Sequence, residues 1–222
     1  MVRCIGGLYG ITRDNDPDVE AHVKFALDGG AKVIQYRAKS NNDNRFEIAS
    51  KLADICREYD VTYIINDDID LALAVNADGV HLGKNDLDIE SARKKIGDKI
   101  IGVSCYNKLA LAVDAEQLSA DYVAFGRFFP SSTKPNAVAA EIELLRDARK
   151  KLSIPIVAIG GINVSNAKSL IEAGANSIAV IDGLFNWQRF NEQQFEKKAN
   201  QENIKKTAEY FSSLFLNKTT LR

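Results

Sequence analysis

Short apolar runs, most of them rich in β-branched residues, recur along the whole chain. Within each run hydrophobic side chains occupy consecutive positions, which is typical of strands buried on both faces of a parallel sheet. Eight such runs can be counted. The pattern predicts strands at residues 5–11, 32–36, 61–65, 79–82, 100–104, 122–125, 155–159 and 177–181.

Between these runs lie amphipathic stretches with helical spacing. They predict helices at residues 19–27, 46–59, 71–75, 89–96, 109–118, 140–152, 164–173 and 195–216. Strict β–α alternation repeated eight times favours a single (β/α)8 TIM barrel over residues 1–222, with residues 196–222 as a peripheral C-terminal helix and tail. A doubly wound open sheet is the alternative, but no run has the features of an edge strand.

Four helix-to-strand turns resemble one another, and they precede the second, fourth, sixth and eighth predicted strands. The turns begin at Gly30, Asn76, Ser119 and Gly174. Such residues at a helix end, followed by a small residue, suit a left-handed cap and a tight turn into a strand.

Composition narrows the function classes. Of the 222 residues 45% are hydrophobic, and 29 Lys and Arg balance 30 Asp and Glu, for a net charge of −1. A large core is therefore expected, and general binding to nucleic acid or an anionic membrane is not. Three dispersed cysteines and two histidines make a disulfide framework or a zinc site improbable. With no signal peptide and no apolar stretch of about 18 residues, we expect a cytoplasmic protein.

We expect the catalytic and binding residues at the C-terminal ends of the strands, because barrel enzymes have their active sites at that face. After the second strand, Gln35, Arg37 and Lys39 share one face by period-two alternation. Two cations and an amide at the mouth suit an anionic substrate. The alternative is a solvated strand end.

Acidic residues follow the third and fourth strands. Asp67 is a candidate Mg²⁺ ligand, and Asp68 is expected to cap the next helix. Asp86 is either a second Mg²⁺ ligand or the cap of the helix that contains Ile89. His81, on the fourth strand, is expected to be a packed barrel residue.

The remaining strand ends suggest phosphate binding. Ser104 is either a phosphate donor or an ordinary strand-end hydroxyl, and Cys105 has no activating partner in the sequence. The long segment after the sixth strand resembles a phosphate-binding lid made of Ser131, Ser132, Thr133 and Lys134. Glycines follow the last two strands, where barrels commonly bind phosphate; they are Gly160, Gly161 and Gly183.

These groups form a consistent set. Pyrophosphate carries about three negative charges at neutral pH, which Arg37, Lys39 and Lys134 would balance, while Asp67 and Asp86 would neutralise their own metal ion. A separate glycine site could hold a second, monophosphorylated substrate. Two phosphate sites at one mouth indicate a transfer reaction in which pyrophosphate leaves.

The motifs closely resemble those of the thiamine-phosphate synthase family. The matching segments run in order over about residues 5–187, and together they are highly specific. They are residues 8–12, 35–39, 64–67, 77–83 with Asp86, 102–104, 130–135 and 158–162. The resemblance implies a (β/α)8 barrel that joins 4-amino-2-methyl-5-pyrimidinylmethyl diphosphate to a thiazole phosphate. It also implies one Mg²⁺ per subunit, with thiamine phosphate and pyrophosphate as products.

The resemblance also assigns roles by position. Asp67 and Asp86 would bind Mg²⁺, and Arg37, Lys39, Ser104 and Lys134 would act on the leaving diphosphate. The pyrimidine diphosphate site would comprise Gln35, Tyr36, Arg37, Ala38, Lys39, Asn66, Ser104 and Lys134. The thiazole phosphate site would comprise Ser131, Ser132, Thr133, Gly161, Ile181 and Asp182.

Two positions depart from the family pattern. Many members have Thr where this chain has Ser131, and Ser where it has Asp182, whose carboxylate is unfavourable beside a phosphate unless it points away. The alternatives are a thiazole tautomerase and a non-catalytic sensor of phosphate ligands, neither of which needs the complete diphosphate set. The partners expected are two small phosphorylated substrates, with self-association left open.

Overall fold

Eight parallel strands form a closed barrel in the computed structural model, which describes residues 5–39, 44–83, 86, 88–130, 138–185 and 200–216. Each strand pairs with the next one along the chain, and β8 pairs with β1. The strands are β1 Gly7–Ile11, β2 Val33–Tyr36, β3 Thr62–Asn66, β4 Gly79–Leu82, β5 Ile100–Tyr106, β6 Tyr122–Phe125, β7 Ile156–Ile159 and β8 Ser177–Val180. The predicted (β/α)8 barrel is confirmed, and the open-sheet alternative is wrong because β1 and β8 are hydrogen-bonded.

A helix follows every strand, as the amphipathic pattern predicts. The helices are α1 Val19–Asp28, α2 Arg45–Glu58, α3 Ile69–Ala74, α4 Ile89–Ile96, α5 Leu109–Gln117, α6 Glu143–Lys151, α7 Ala167–Glu172, α8 Asp182–Phe185 and α9 Asn200–Leu216. The sequence pattern missed α8, because four residues are too few to show a helical period.

Two helices begin later than predicted, and local hydrogen bonds explain the delay. Before α6, the backbone N–H of Ala140 donates to the carbonyl of Arg127 over 2.8 Å, which ties this residue to the loop after β6. Before α7, Asn163 and Asn166 accept backbone hydrogen bonds from Ser165 and Asn163. Such side-chain to backbone bonds compete with helix formation.

Side chains alternate between the barrel interior and the layer between strands and helices, as period two requires. The interior cluster includes Tyr9, Val33, Ile64, Tyr122 and Val157. The outer cluster is larger, and it contains the apolar faces of the surrounding helices. The interior residues therefore form the floor beneath the mouth where the strands end.

The four similar turns share one backbone geometry. Gly30, Asn76, Ser119 and Gly174 all have positive φ, from 52° to 120°. In each turn the next N–H donates to a carbonyl five residues earlier, as from Ala31 to the carbonyl of Ala26 over 3.0 Å. This is the Schellman arrangement, and it confirms the predicted left-handed caps.

After three of these turns a side chain pairs with the start of the preceding strand. Asp78 accepts from the N–H of Tyr63 over 2.7 Å, and Asp121 accepts from that of Ile101 over 2.7 Å. Asn176 similarly accepts from Ile156 over 3.0 Å. These residues lie at the N-terminal end of the barrel, where their role is stability rather than catalysis.

The turn at Ser119 offers a test of this geometry, because a non-glycine residue is strained at its φ of 67°. We expect Ser119→Gly to raise the free energy of unfolding by about 0.5–1 kcal/mol. Ser119→Ala retains the Cβ and is expected to bring no such gain. Urea denaturation measures both, and equal stabilities would contradict the strain argument.

Helix α9 contributes to the core of the molecule. Its Ile204, Ala208 and Phe211 are completely buried. A Cβ placed on Gly29 would lie 2.4 Å from that of Ala208, so the end of α1 approaches α9 without room for a side chain. Helix α9, which lies within the segment predicted to be peripheral, therefore packs closely against α1. Across the described residues, no helix combines the length and apolar character needed to span a bilayer.

Candidate active site

A cavity of about 460 Å³ opens at the C-terminal ends of the strands. Its apolar wall consists of side chains that point into the barrel, among them Ile11, Ala124, Val157, Ile159 and Ala179. Its polar residues come from several strands and loops: Tyr9, Gln35, Arg37, Asn66, His81, Ser104, Tyr106, Tyr122, Arg127 and Asp182. Seven of the predicted site residues line it, namely Gln35, Arg37, Asn66, Ser104, Gly161, Ile181 and Asp182.

A cluster of Lys39, Asp67 and Asp86 follows the ends of β2, β3 and β4 and does not line this cavity, whereas Asn66, next to Asp67 in the sequence, does. The Lys39 ammonium donates to Asp67, and the N–H of Gly83 donates to Asp86 over 2.5 Å. Burial raises the pKa of Asp67, but hydrogen bonds from Lys39 and from Asp86 outweigh it and hold that pKa below its usual value. Burial raises the pKa of Asp86, and the adjacent Asp67 raises it further against the effect of Gly83. The two carboxyl groups lie close enough to shift each other's pKa, so they are placed to contact one cation.

These two carboxyl groups fit the requirements of Mg²⁺. Magnesium is usually bound by one or two carboxylates together with water and substrate phosphate oxygens, rather than by an all-protein cage. In the described part of the chain no group of three or more His, Cys, Asp or Glu residues could hold a metal. Asp67 and Asp86 could supply two oxygen ligands to such an ion, with the remaining coordination positions open to water or to phosphate oxygens.

Two acidic residues near this cluster, Asp68 and Asp88, cap helices instead of joining it. Asp68 accepts from the N–H of Leu71 over 2.9 Å, so its predicted role as the cap of α3 is confirmed. Asp88 caps α4 by accepting from Ser91 over 3.0 Å. The alternative of Asp86 as the cap of α4 is therefore wrong, because that position is filled two residues later.

A chain of hydrogen bonds crosses the floor of the cavity from Gln35 to Ser104. The Nε2 of Gln35 donates to the hydroxyl of Tyr9 over 2.7 Å, and this hydroxyl lies 2.9 Å from that of Tyr122. His81 continues the chain, with its Nδ1 3.0 Å from the Tyr122 hydroxyl and its Nε2 2.9 Å from Ser104 Oγ. Burial raises the pKa of both tyrosines far above the ordinary value, so both hydroxyls stay protonated.

Sequence reasoning missed Tyr9 and Tyr122 as cavity residues, and it expected His81 to be a packed barrel residue, which its stacking on Tyr122 confirms. His81 lines the cavity and contacts Ser104 through its Nε2. The signal was present, because these three residues lie at inward positions of their strands by the same period-two alternation that selects Gln35 and Arg37. Arg127, on the loop after β6, has no such periodicity to indicate its place.

The opposite side of the cavity is built from loops after β7 and β8. Gly161 has φ of 65°, and a Cβ there would lie 2.3 Å from the carbonyl oxygen of Pro130. Glycine is therefore required, and its backbone is open to the cavity beside Ile181 and Asp182. The Asp182 carboxylate forms an ion pair with Arg13, whose Nε lies 3.7 Å from Oδ1 of Asp182.

Other predicted residues lie away from the main cavity. Tyr36 belongs to the outer core cluster, and Ala38 borders a shallow depression beside Asp67. Ser131, Ser132, Thr133 and Lys134, predicted to form a lid, lie outside the described residues. Burial raises the pKa of Cys105 to about 12, with Asp114 adding to the effect, so the thiol is unsuited to nucleophilic attack.

Comparison with known proteins decides the family. The family model described as thiamine monophosphate synthase matches residues 8–184, which include all of β1 to β8 except Gly7. The chain belongs to the thiamine monophosphate synthase family. Family members with similar sequences include the thiamine-phosphate synthase of Nitrosococcus oceani, 54% identical over 83% of this chain and 88% of that protein.

Two further members of the family extend the match to nearly the full length. The thiamine-phosphate synthase of Nitrosomonas eutropha is 43% identical over 95% of both chains. Among solved structures, thiamine phosphate pyrophosphorylase from Pyrococcus furiosus superimposes with a TM-score of 0.81 at 34% identity, over 95% of this chain and 96% of that one. The family likeness therefore includes the strand ends that form the cavity.

Proposed function

We propose that the chain is a thiamine-phosphate synthase, a transferase of thiamine biosynthesis. It would join 4-amino-2-methyl-5-pyrimidinylmethyl diphosphate to 4-methyl-5-(2-phosphoethyl)thiazole and release pyrophosphate. The observation that supports the proposal is a largely apolar cavity at the strand ends that is lined by Arg37 and Asn66 as well as by the glycines after β7 and β8. Membership of the family supports the same reaction.

The reaction breaks the bond between the pyrimidinylmethyl carbon and the diphosphate oxygen, whose electron pair leaves with pyrophosphate. The ring amino group stabilises the carbocation, and the thiazole nitrogen then forms the new C–N bond with its lone pair. Arg37 and Lys39 would stabilise the charge on the leaving group, as electrostatic catalysis requires. The cavity holds the two substrates in line and supplies no nucleophile or strong base.

The apolar wall has a chemical role in this mechanism. A carbocation is captured by any water within reach, so a dry cavity protects it until the thiazole arrives. Ile11, Val157 and Ile159 line the cavity between its two polar sides, where the cation would form. Ser104 lines the same cavity and would donate a hydrogen bond to the diphosphate.

We also propose Mg²⁺ as the cofactor, bound by Asp67 and Asp86 together with the diphosphate. When bound, the ion neutralises charge on the leaving group. Lys39 contacts Asp67, so the ammonium would hold this carboxylate in place and lie beside the diphosphate. We propose a cytoplasmic location as well, with the buried Cys56 and Cys105 kept as thiols.

The proposed function is tested by mixing both substrates with the purified protein, with Mg²⁺ and with EDTA. We expect thiamine phosphate and pyrophosphate in equal amounts with Mg²⁺ and at least tenfold slower formation with EDTA, because the leaving group loses its counter-charge. No thiamine phosphate under either condition would refute the reaction. Equal rates under both conditions would refute the cofactor alone.

Asp182 allows a prediction about the thiazole phosphate. Its carboxylate borders the phosphate site, and Arg13 partly compensates the negative charge. We expect Asp182→Ser to lower the KM for the thiazole phosphate several-fold and Arg13→Gln to raise it, with little change in kcat. Steady-state kinetics in both substrates measures this. Unchanged KM values in both variants would show that neither charge is felt by the phosphate.

A further inference from the structure

The hydrogen-bond chain on the cavity floor has an internal order that the proposed reaction does not use. Within the chain each interior member contacts the members before and after it, so the direction in which one member donates sets the direction for the next. Four contacts of 2.7–3.0 Å connect Gln35, Tyr9, Tyr122, His81 and Ser104. Both tyrosines are almost completely buried, at 1% and 0% exposure, so water cannot replace a lost partner.

One direction of the chain starts from the amide nitrogen of Gln35. If Nε2 donates to Tyr9, the proton of Tyr9 is directed to Tyr122, and that of Tyr122 to the Nδ1 of a neutral His81. The Nε2–H of His81 then donates to Ser104 Oγ. In this state Gln35 presents its carbonyl oxygen to the cavity, and the Ser104 proton is available to a ligand.

The reverse direction starts from Ser104. Its hydroxyl donates to Nε2 of His81, whose Nδ1–H donates to Tyr122, and the tyrosines donate in turn toward Gln35. The amide must then be turned over, so that its oxygen accepts from Tyr9 and its NH₂ group faces the cavity. One proton leaves Nε2 and another reaches Nδ1 by exchange with water, so both states hold the same number of protons.

We propose that this chain couples the group that Gln35 presents to the ligand with the group that Ser104 presents, and thereby selects an aminopyrimidine diphosphate. The inference rests on the proposed function. An amino group donates to the Gln35 oxygen, which requires the first direction, and that direction leaves the Ser104 proton for the diphosphate. A 4-oxo ring requires the second direction, in which the Ser104 proton is committed to His81.

Tyr9 and Tyr122 are therefore positioning residues, which act through Gln35 and Ser104. A glycine makes room for this arrangement, because a Cβ at Gly102 would lie 1.9 Å from Cζ of Tyr122. The coupling accounts for two buried tyrosine hydroxyls with raised pKa values beneath a substrate cavity. If both tyrosines were Phe, the Gln35 side chain could turn over freely, and the cavity would bind the 4-amino and the 4-oxo ring alike.

The first test is binding of two inert bisphosphonate analogues of the pyrimidine substrate, one 4-amino and one 4-oxo, measured by calorimetry with Mg²⁺. We expect the protein to prefer the amino compound by about a hundredfold or more, because a mismatched polar ring leaves buried groups unpaired. Tyr122→Phe should reduce this preference at least tenfold. Without the Tyr122 hydroxyl, Tyr9 can donate to a turned Gln35 and leave His81 and Ser104 undisturbed.

The matched control is Tyr63→Phe, which deletes the hydroxyl of another buried tyrosine. Tyr63 belongs to the outer core, and its hydroxyl donates to the carbonyl of Ala49 over 3.0 Å. We expect its preference to equal that of the parent chain. If the parent chain makes thiamine phosphate and the folded Tyr122→Phe variant retains the full preference, the coupling is overturned and the proposed function stands. A parent that makes no thiamine phosphate overturns both.

The second test reads the direction of the chain itself. The protein has two histidines, His22 and His81, so ¹⁵N spectra of the imidazole rings are simple to assign. With the 4-amino analogue bound, we expect His81 to carry its proton on Nε2. A proton on Nδ1 in that complex would show the opposite direction and overturn the proposal.

Discussion

Asp67→Asn is expected to lower kcat/KM for thiamine phosphate formation by about a hundredfold, the scale on which loss of one electrostatic group acts in catalysis. The amide cannot carry the negative charge that would bind Mg²⁺ and retain Lys39. The fold should tolerate the change. Asp67 has φ of 64°, a conformation that Asn also accepts, and its ion pair with a half-exposed lysine adds little to stability. Steady-state kinetics over a range of Mg²⁺ concentrations measures the effect.

The neighbouring Asp68 gives the matched control. Asp68→Asn makes the same chemical change one residue away, at a helix cap where Asn serves as well as Asp. It loses the ion pair with Arg45 but leaves the carboxyl cluster intact. We expect nearly parental turnover from this variant. Equal activity in the two variants would remove Asp67 from the diphosphate and metal site.

Gly102→Ala is expected to lower the free energy of unfolding by about 3 kcal/mol, a large cost for one methyl group in a packed core. The new Cβ would lie 1.9 Å from Cζ and 2.4 Å from the hydroxyl of Tyr122. The tyrosine cannot move aside without breaking its bonds to Tyr9 and His81. Urea denaturation followed by circular dichroism measures the loss.

Gly6→Ala controls for the general effect of adding a methyl group, since its nearest contact would be at an ordinary 3.7 Å. We expect this change to stay within about 0.5 kcal/mol. In a Tyr122→Ala background, Gly102→Ala should cost little, because the clashing ring is gone. A cost that persists in that background would place the strain somewhere other than this contact.

Strand periodicity predicts part of the candidate site from the sequence. It selects Gln35 and Arg37 correctly as cavity residues, because alternation along a strand is a local property. Applied to β1, β4 and β6 it would also have indicated Tyr9, His81 and Tyr122. It also puts Tyr36 on the outer face, as observed, whereas the resemblance to the family assigns this residue to the pyrimidine diphosphate site.

No local sequence pattern predicts which acidic residues, far apart along the chain, come close together in the fold. Asp68 is recognisable as a cap because it stands directly before a helix, whereas the sequence analysis considered Asp86 and not Asp88 as the cap of α4. That Asp67 and Asp86 lie close enough to shift each other's pKa depends on the side-by-side pairing of β3 and β4, after which these residues follow. Such contacts form only when the strands are in register.

The sequence by itself determined the eight β–α units, the left-handed turns between them and the strand ends at which charge gathers. Those features depend on short-range sterics and on the burial of apolar residues, which neighbouring positions already specify. Only the tertiary structure decided that β1 meets β8 and that five side chains from five strands form one hydrogen-bond chain. Barrel closure sets the distances across its interior, and no separation along the chain encodes those distances.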